Sequence, residues 1–140
     1  LACRSLAKRS MGGLIIIDRK NNLDVHKQTG EIIDAAINSR LIENLFFKNS
    51  PLHDGALIVG NERIIAASCI LPVSKNQQIP KRLGLRHRSA LGITEQTDAI
   101  AIIVSEETGK ISYAINGELT LNVKPEELEM FLSEALYAYK

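Results

Sequence analysis

The sequence predicts one α/β domain, with a mixed and largely antiparallel β-sheet that contains hairpins and is flanked by α-helices. Short runs rich in Ile and Val, each bounded by turn residues, dominate the middle of the chain and are typical of strands. Segments with apolar residues at helical spacing lie on either side of these runs. The length of 140 residues suits a single domain that buries a sizeable core.

The first part of the chain is predicted to hold one buried strand between two helices. The run "LIIID" is apolar without alternation, which is typical of a strand covered on both faces. Asn38 and Ser39 are good N-cap residues ahead of apolar residues at helical spacing, and Pro51 helps to stop that helix. The predicted order is a weak helix at 1–10, the strand at 14–18, a polar loop at 21–30, a short apolar segment at 32–33 and a helix from 38–39 to 48.

The second part is predicted to be built from hairpins. The dipeptide Asn116-Gly117 is a strong tight-turn signal, and Pro125 followed by two glutamates suits the first turn of a helix. The predicted order is a hairpin of 55–59 and 63–71, a loop at 72–84, a short helix starting in "RSALGI", a hairpin of 99–105 and 110–115, a strand at 118–123 and a helix from 125.

Charge and composition exclude several classes of function. The formal net charge is +1 and no basic run exceeds two residues, which argues against binding of nucleic acid but leaves a small anionic ligand possible. The two cysteines, Cys3 and Cys69, form no C-x-x-C pair, which suits a reducing compartment better than a disulfide or a zinc site. No apolar run reaches the length of a membrane span. Since the chain starts at Leu1, we expect an excised fragment with a segment missing upstream.

The stretch "PLHDGA" is the first candidate site. Asp54 could form an ordinary turn at the entrance of a strand. Gly55 favours a functional interpretation, because a glycine lets the main chain approach a ligand closely and a neighbouring carboxylate can hold Mg²⁺ or Mn²⁺. His53 could add a nitrogen ligand, which would favour Mn²⁺ or Co²⁺, although a single histidine is more often a structural residue.

The stretch "RHRSA" is the second candidate site. Arg86 and Arg88 flank His87 at the predicted start of a helix, where cationic side chains are unfavourable unless an anion is bound. The planar guanidinium group suits phosphate oxygens. The alternative is that both arginines pair with surface carboxylates.

The stretch "VSEETG" is the third candidate site, although its local sequence favours an ordinary hairpin turn with solvated acids. Its interest is that Ser105, Glu106 and Glu107 end a buried strand, where ligand sites on sheets often cluster. A metal, a phosphate clamp and an acidic turn would together form a site for a nucleoside triphosphate. The chain contains no Walker, G-x-G-x-x-G or kinase motif, which excludes the common nucleotide-binding folds.

In this order and spacing, "PLHDGA", "LPVS", "LGLRHRSALGITEQTDA" and "VSEETGKIS" resemble the bacterial diadenylate cyclase domain, whose signatures are a DGA and an RHR motif. The similarity runs from about residue 12 to 136, and it is greatest to the membrane-bound type. The resemblance implies a domain boundary: residues 1–11 would be a helical remnant of a linker from an upstream membrane region, and residues 12–140 the catalytic domain. The parent protein would then be anchored at the cytoplasmic face of the cell membrane.

The resemblance also implies a reaction and a set of site residues. Such domains condense two ATP molecules into cyclic di-AMP with release of two pyrophosphates, using Mn²⁺, Mg²⁺ or Co²⁺, across a face-to-face homodimer. Carried over by position, the motifs would supply catalytic groups, nucleotide contacts and metal ligands. The catalytic residues would be Asp54, Gly55, Arg86, His87 and Arg88; the nucleotide contacts Leu71, Leu85, Ser105, Glu106 and Glu107; and the metal ligands His53, Asp54 and Glu107.

One position departs from the family pattern. Leu85 stands where the family usually has a threonine, so a hydroxyl that could bond a phosphate is missing. This departure leaves open a nucleotide-binding sensor of the same fold with weak or no catalysis. A third interpretation, a metal-dependent hydrolase built on His53, Asp54 and His87, fits poorly because three such residues without a spaced histidine partner make a weak ligand set.

Overall fold

The structure, a computed structural model, describes residues 2–8, 11–19, 23–76, 78–80 and 83–137. In this part of the chain seven strands form one sheet and five helices accompany it. The strands are β1 (Gly13–Ile17), β2 (Glu31–Ala36), β3 (Ala56–Gly60), β4 (Arg63–Cys69), β5 (Ile100–Val104), β6 (Ile111–Ile115) and β7 (Glu118–Val123), and the helices are α1 (Ala2–Lys8), α2 (Asp24–Lys27), α3 (Ser39–Phe46), α4 (Leu85–Gln96) and α5 (Pro125–Tyr137).

The sheet is mixed, with strand order β2-β4-β3-β1-β5-β6-β7. Only β1 and β3 run parallel; each of the other five neighbouring pairs is antiparallel, and three of these are hairpins of consecutive strands. The strands at the centre are Ile-rich and buried, as expected for strands covered on both faces. The predicted fold class, a single domain with a mixed, hairpin-containing sheet and flanking helices, is confirmed.

Helices cover both faces of the sheet, so alternate residues of a strand belong to different halves of the core. On β1, Leu14 and Ile16 pack in a cluster with Ala90 and Ile93 of α4. Ile15 points to the other face, where its cluster includes residues of three helices. These are Leu6 of α1, Ile42, Leu45 and Phe46 of α3, and Leu128 of α5.

All three predicted motifs lie at the same end of the central strands, which we call the motif edge of the sheet. β1 and β3 begin at this edge because they are parallel, whereas β4 and β5 end there because each is antiparallel to one of them. The DGA motif precedes β3, and the acidic turn follows β5. The RHR motif lies in the first turn of α4, which packs on β1 and β5.

The element count differs from the sequence prediction in two places. The polar loop predicted at 21–30 contains the four-residue helix α2, and the short segment predicted at 32–33 is a six-residue edge strand, β2. The pairing of β2 with β4 shifts between Ile32 and Ala35, where Asp34 adopts a positive φ of 50°. A bulged edge strand exposed to solvent lacks a clear alternation of apolar residues, so the sequence indicated only the two residues 32–33 of this six-residue strand.

The N-terminal helix packs against the domain. Leu6 is fully buried, and the N–H of Met11 donates to the carbonyl of Leu6 before the chain enters β1. Among the described residues no helix is both long and apolar enough to cross a membrane.

Candidate functional site

A cleft of about 890 Å³ opens at the edge of the sheet where the motifs meet. All but one of the predicted site residues line it. The exception is Arg88, whose main-chain carbonyl instead accepts a hydrogen bond from the N–H of Ser74 at 3.0 Å. The lining residues that the sequence predicted are His53, Asp54, Gly55, Leu71, Leu85, Arg86, His87, Ser105, Glu106 and Glu107.

His53 and Asp54 form a pair whose polar atoms face each other. Nδ1 of His53 lies 2.9 Å from the carbonyl oxygen of Ser50, an acceptor, so this nitrogen carries a hydrogen and donates. In a neutral imidazole Nε2 is then an acceptor, and it lies 3.2 Å from Oδ1 of Asp54, a second acceptor. A cation between two acceptors this close would turn their repulsion into attraction. The Asp54 side chain is 83% exposed, so the pair faces solvent in the cleft.

Gly55 is required by the contact between β3 and β4. Its φ is +83°, a conformation that residues with a side chain rarely adopt. A Cβ added to it would lie 2.7 Å from the carbonyl oxygen of Cys69 and 2.8 Å from the carbonyl carbon of Ser68. The glycine therefore lets two strands approach each other beside the cleft, whereas the sequence had suggested close approach to a ligand.

The amino end of α4 presents free N–H groups to the cleft. The helix begins three residues earlier than "RSALGI" predicted, and Gly84 precedes it without a capping side chain. The N–H of Arg88 makes the first intrahelical bond, to the carbonyl of Gly84, which leaves the N–H groups of residues 85–87 ahead of it. No acidic side chain occupies the first turn. This end of the helix is thus suited to an anion.

Arg86 lies between the helix and the acidic turn. Its Nη1 is 3.7 Å from Oε2 of Glu106, and its side chain is 25% exposed whereas that of Glu106 is 64% exposed. Arg86 thus has a carboxylate partner, as the alternative interpretation expected, but this partner, Glu106, also lines the cleft. A long contact to an exposed carboxylate contributes little to the stability of the fold, so the Arg86 guanidinium stays available to a ligand.

His87 is buried beneath the first turn of α4. Burial lowers the pKa of its imidazole below the ordinary value, and the positive charge of Arg86 lowers it further. The ring is therefore neutral near pH 7, and it lines the cleft as a neutral hydrogen-bonding group.

Acid should destabilise the fold through His87. As the pH falls through 6.5, the ordinary pKa of a histidine in the unfolded chain, the unfolded chain takes up a proton before the folded one, so stability is lost between pH 6.5 and the lowered pKa of the folded state. We expect the melting temperature of the wild type to fall relative to that of His87→Asn when the pH is lowered from about 7.5 to about 5. Parallel curves for the two proteins would contradict this.

The acidic turn after β5 is closed by its own hydrogen bonds. Oγ of Ser105 accepts from the N–H of Thr108 at 3.3 Å, and the N–H of Gly109 donates to the carbonyl of Ser105 at 2.8 Å. Glu106 and Glu107 are exposed at the cleft. Across the described part of the chain no group of three His, Cys, Asp or Glu side chains could hold a metal ion, so Glu107 does not complete a three-residue set with His53 and Asp54.

The cleft contains several residues that the sequence did not indicate. Lys48 and Lys110 add positive charge, and Ile70 and Val73 join Leu85 as exposed apolar side chains. These residues lie outside the three motifs, and no spacing pattern connects them. Cys69 also lines the cleft, where burial raises the pKa of its thiol to about 11 and keeps it protonated.

Comparison with known proteins agrees with this geometry. The family model described as DAC, "DisA bacterial checkpoint controller nucleotide-binding", matches residues 1–119. The cyclic di-AMP synthase CdaA of Bacillus subtilis is 46% identical over 131 residues, which are 94% of this chain and 48% of that protein. The chain thus spans about half the length of the curated relatives it matches.

Two solved structures have the same fold. A double mutant of DacA from Staphylococcus aureus superposes with a TM-score of 0.95 at 41% identity, covering 97% of this chain and 91% of that one. A protein from Bacillus cereus described as a hypothetical membrane spanning protein gives a TM-score of 0.84 at 41% identity, covering 88% of this chain and 60% of that one. With the family model matching most of its length, the chain belongs to the diadenylate cyclase (DAC) domain family.

Proposed function

We propose that this domain is a diadenylate cyclase, a nucleotidyltransferase that condenses two ATP molecules into cyclic di-AMP and releases two pyrophosphates. The observation that carries the proposal is the convergence of three kinds of group in one cleft. An exposed carboxylate, Asp54, a cationic helix start that contains Arg86, and exposed apolar side chains all line this cleft.

The cleft offers separate surfaces to the two ends of ATP. Ile70 and Leu85 are each 68% exposed at the cleft and give a purine ring apolar surface to cover, with Leu71 beneath them in the core. The free N–H groups at the start of α4 and the guanidinium of Arg86 suit the triphosphate. Ser105 and the two glutamates border the same space.

The residues present fit a divalent cation that binds together with the nucleotide. Nε2 of His53 and Oδ1 of Asp54 lie 3.2 Å apart and both can bind a cation, and Mg²⁺-type sites commonly combine one or two protein ligands with phosphate oxygens. A nitrogen ligand favours Mn²⁺ or Co²⁺ over Mg²⁺. Glu107 lines the same cleft and would be a further ligand once the phosphates are bound. A cation bound here would neutralise charge on the triphosphate.

The chain's own residues account for the proton and the charge in the reaction. The 3′-hydroxyl oxygen of one ATP forms a bond to the α-phosphorus of the other while the bond from that phosphorus to pyrophosphate breaks. Asp54 accepts the hydroxyl proton, and Arg86 with the N–H groups of α4 binds the charge on the phosphates. His87 is neutral near pH 7, so its one ring N–H can donate to a phosphate oxygen. Both bonds of the ring form only when two protomers present their nucleotides face to face.

The parent protein is proposed to be anchored in a membrane with this domain at the cytoplasmic face. Support comes from the description of the Bacillus cereus neighbour as membrane spanning and from ATP as the substrate. Tethering would raise the local concentration of protomers that must meet.

Incubation with ATP and Mn²⁺, followed by chromatography of the products, tests the proposal. Cyclic di-AMP is expected. Unchanged ATP with measurable binding would favour the sensor, for which Leu85 in place of the family threonine is the supporting observation. ADP or AMP would favour a hydrolase. Leu85→Thr is the matched variant: a large gain in turnover would assign a weak wild-type activity to that position.

Arg86→Ala should weaken ATP binding and should do so less at high salt, because the lost interaction is with phosphate charge. The melting temperature without ligand should change little, since an ion pair to an exposed carboxylate contributes about 0–1 kcal/mol. Calorimetry at two salt concentrations measures the first effect and a thermal melt the second.

Arg63→Ala is the control for this variant. Arg63 makes an exposed ion pair with Asp34 at 2.7 Å on β4 and does not line the cleft. It should leave ATP binding unchanged. A large loss of stability in Arg86→Ala alone would show that Arg86 is an internal structural partner.

A further inference from the structure

A buried glycine lies directly behind the Arg86 guanidinium. Gly12 precedes β1 and is buried. A Cβ built on it would lie 2.7 Å from Nη1 and 2.8 Å from Cζ of Arg86, and 2.9 Å from Cβ of Glu106. Real Cβ atoms essentially never approach heavy atoms this closely. The ion pair between Arg86 and Glu106 therefore occupies space that exists only because residue 12 has no side chain.

We propose that Gly12 is a positioning residue for Arg86: it provides the surface against which the guanidinium lies, and so fixes the direction in which that group meets the phosphates. The proposal rests on the function proposed above, because it assigns Arg86 to a nucleotide phosphate. Gly12 itself touches no substrate in this arrangement.

A positioning role and a purely structural role differ in which atoms must move when residue 12 gains a side chain. Two of the three closest atoms belong to the far end of a flexible arginine, which can swing away without moving the main chain. Arg86 is partly exposed and its contact to Glu106 is long, so little energy holds it in place. The third atom, Cβ of Glu106 at 2.9 Å, can move only with the main chain of the exposed acidic turn, so Gly12→Ala should displace the Arg86 guanidinium and shift that turn slightly.

The next residue provides a matched control. Gly13 points to the opposite face of the sheet, where an added Cβ would lie 3.3 Å from the Phe46 ring and 3.4 Å from Leu6. Gly13→Ala makes the same chemical change one residue further on, and it meets core side chains instead of Arg86. Gly13→Ala should itself lower the stability of the fold, because the buried Phe46 ring must move to make room for the Cβ.

The experiment is a cycle of variants read by calorimetry with ATP. Gly12→Ala should weaken ATP binding about tenfold, the equivalent of losing one hydrogen bond to a charged group. The same substitution in Arg86→Ala protein should have almost no further effect, because the group it displaces is already gone. Gly13→Ala should keep wild-type affinity whatever it does to the melting temperature. Equal weakening by Gly12→Ala with and without Arg86, or no weakening at all, would overturn the proposal.

A measurement without ligand keeps this inference separate from the proposed function. The Nε–H resonance of Arg86 in a proton–nitrogen NMR spectrum should shift in Gly12→Ala and stay in place in Gly13→Ala. If the wild type bound no ATP, the proposed function would fail while this shift still tested the position of Arg86. An unchanged Arg86 resonance in Gly12→Ala would refute the positioning role even in an active cyclase.

Discussion

Asp54→Asn is expected to abolish formation of cyclic di-AMP while ATP still binds. The amide keeps the size of the side chain but has no charge with which to accept a proton or hold a cation. A positioned general base contributes about two to four orders of magnitude in rate, so turnover should fall by at least that much. Binding should change far less, because the exposed apolar side chains of the cleft and the cationic start of α4 contact the nucleotide without the Asp54 carboxylate.

Stability should not limit the interpretation of this variant. The Asp54 side chain is 83% exposed and its partner is a single histidine, so its replacement removes little folding energy. Glu129→Gln, the same kind of neutralisation on exposed α5, is the control and should leave turnover and ATP binding unchanged. If Asp54→Asn retained more than a few per cent of the activity, the carboxylate would belong to a turn, and the sensor or hydrolase would regain support.

The motifs were predictable because their chemistry conflicts with their local structure. Arginines in the first turn of a helix oppose the helix dipole, and this conflict predicts an anion site; one of the two, Arg86, lines the cleft. The central strands were predictable because continuous Ile-rich runs have few other uses in a small domain. Strand β2 was underestimated because its register shifts at an exposed edge, where no side-chain pattern is imposed.

The remainder of the site depends on tertiary contacts that leave no local pattern. Lys48 follows α3 and Lys110 precedes β6, and only the sheet brings them to one cleft. Arg88 looks equivalent to Arg86 in the sequence, yet two steps along a helix turn it away from the cleft lining. Gly55 was identified correctly as special but for a different contact, since the neighbour it accommodates is the main chain of β4.

Activity is expected to depend on the concentration of the protein itself. One protomer with one ATP cannot close a ring of two nucleotides, so two clefts must face each other across a two-fold axis. The net charge of +1 gives little long-range repulsion between protomers. Where monomers predominate, a twofold rise in protein concentration should raise the specific activity about twofold, because the share of protein in pairs rises with concentration. A dilution series with sedimentation at each concentration measures both quantities.

Mixing two proteins tests the same geometry independently of affinity. When half of the wild type is replaced by Asp54→Asn at constant total concentration, random pairing leaves about one quarter of all pairs with two intact protomers. Because each ring needs both carboxylates, the activity should fall to about one quarter of its starting value, whereas protomers that act alone would keep about one half. Glu129→Gln in the same mixture should leave the activity unchanged. Retention of half the activity, together with constant specific activity from a sedimenting monomer, would contradict the face-to-face reaction and remove the main reason for placing Asp54 opposite a second nucleotide.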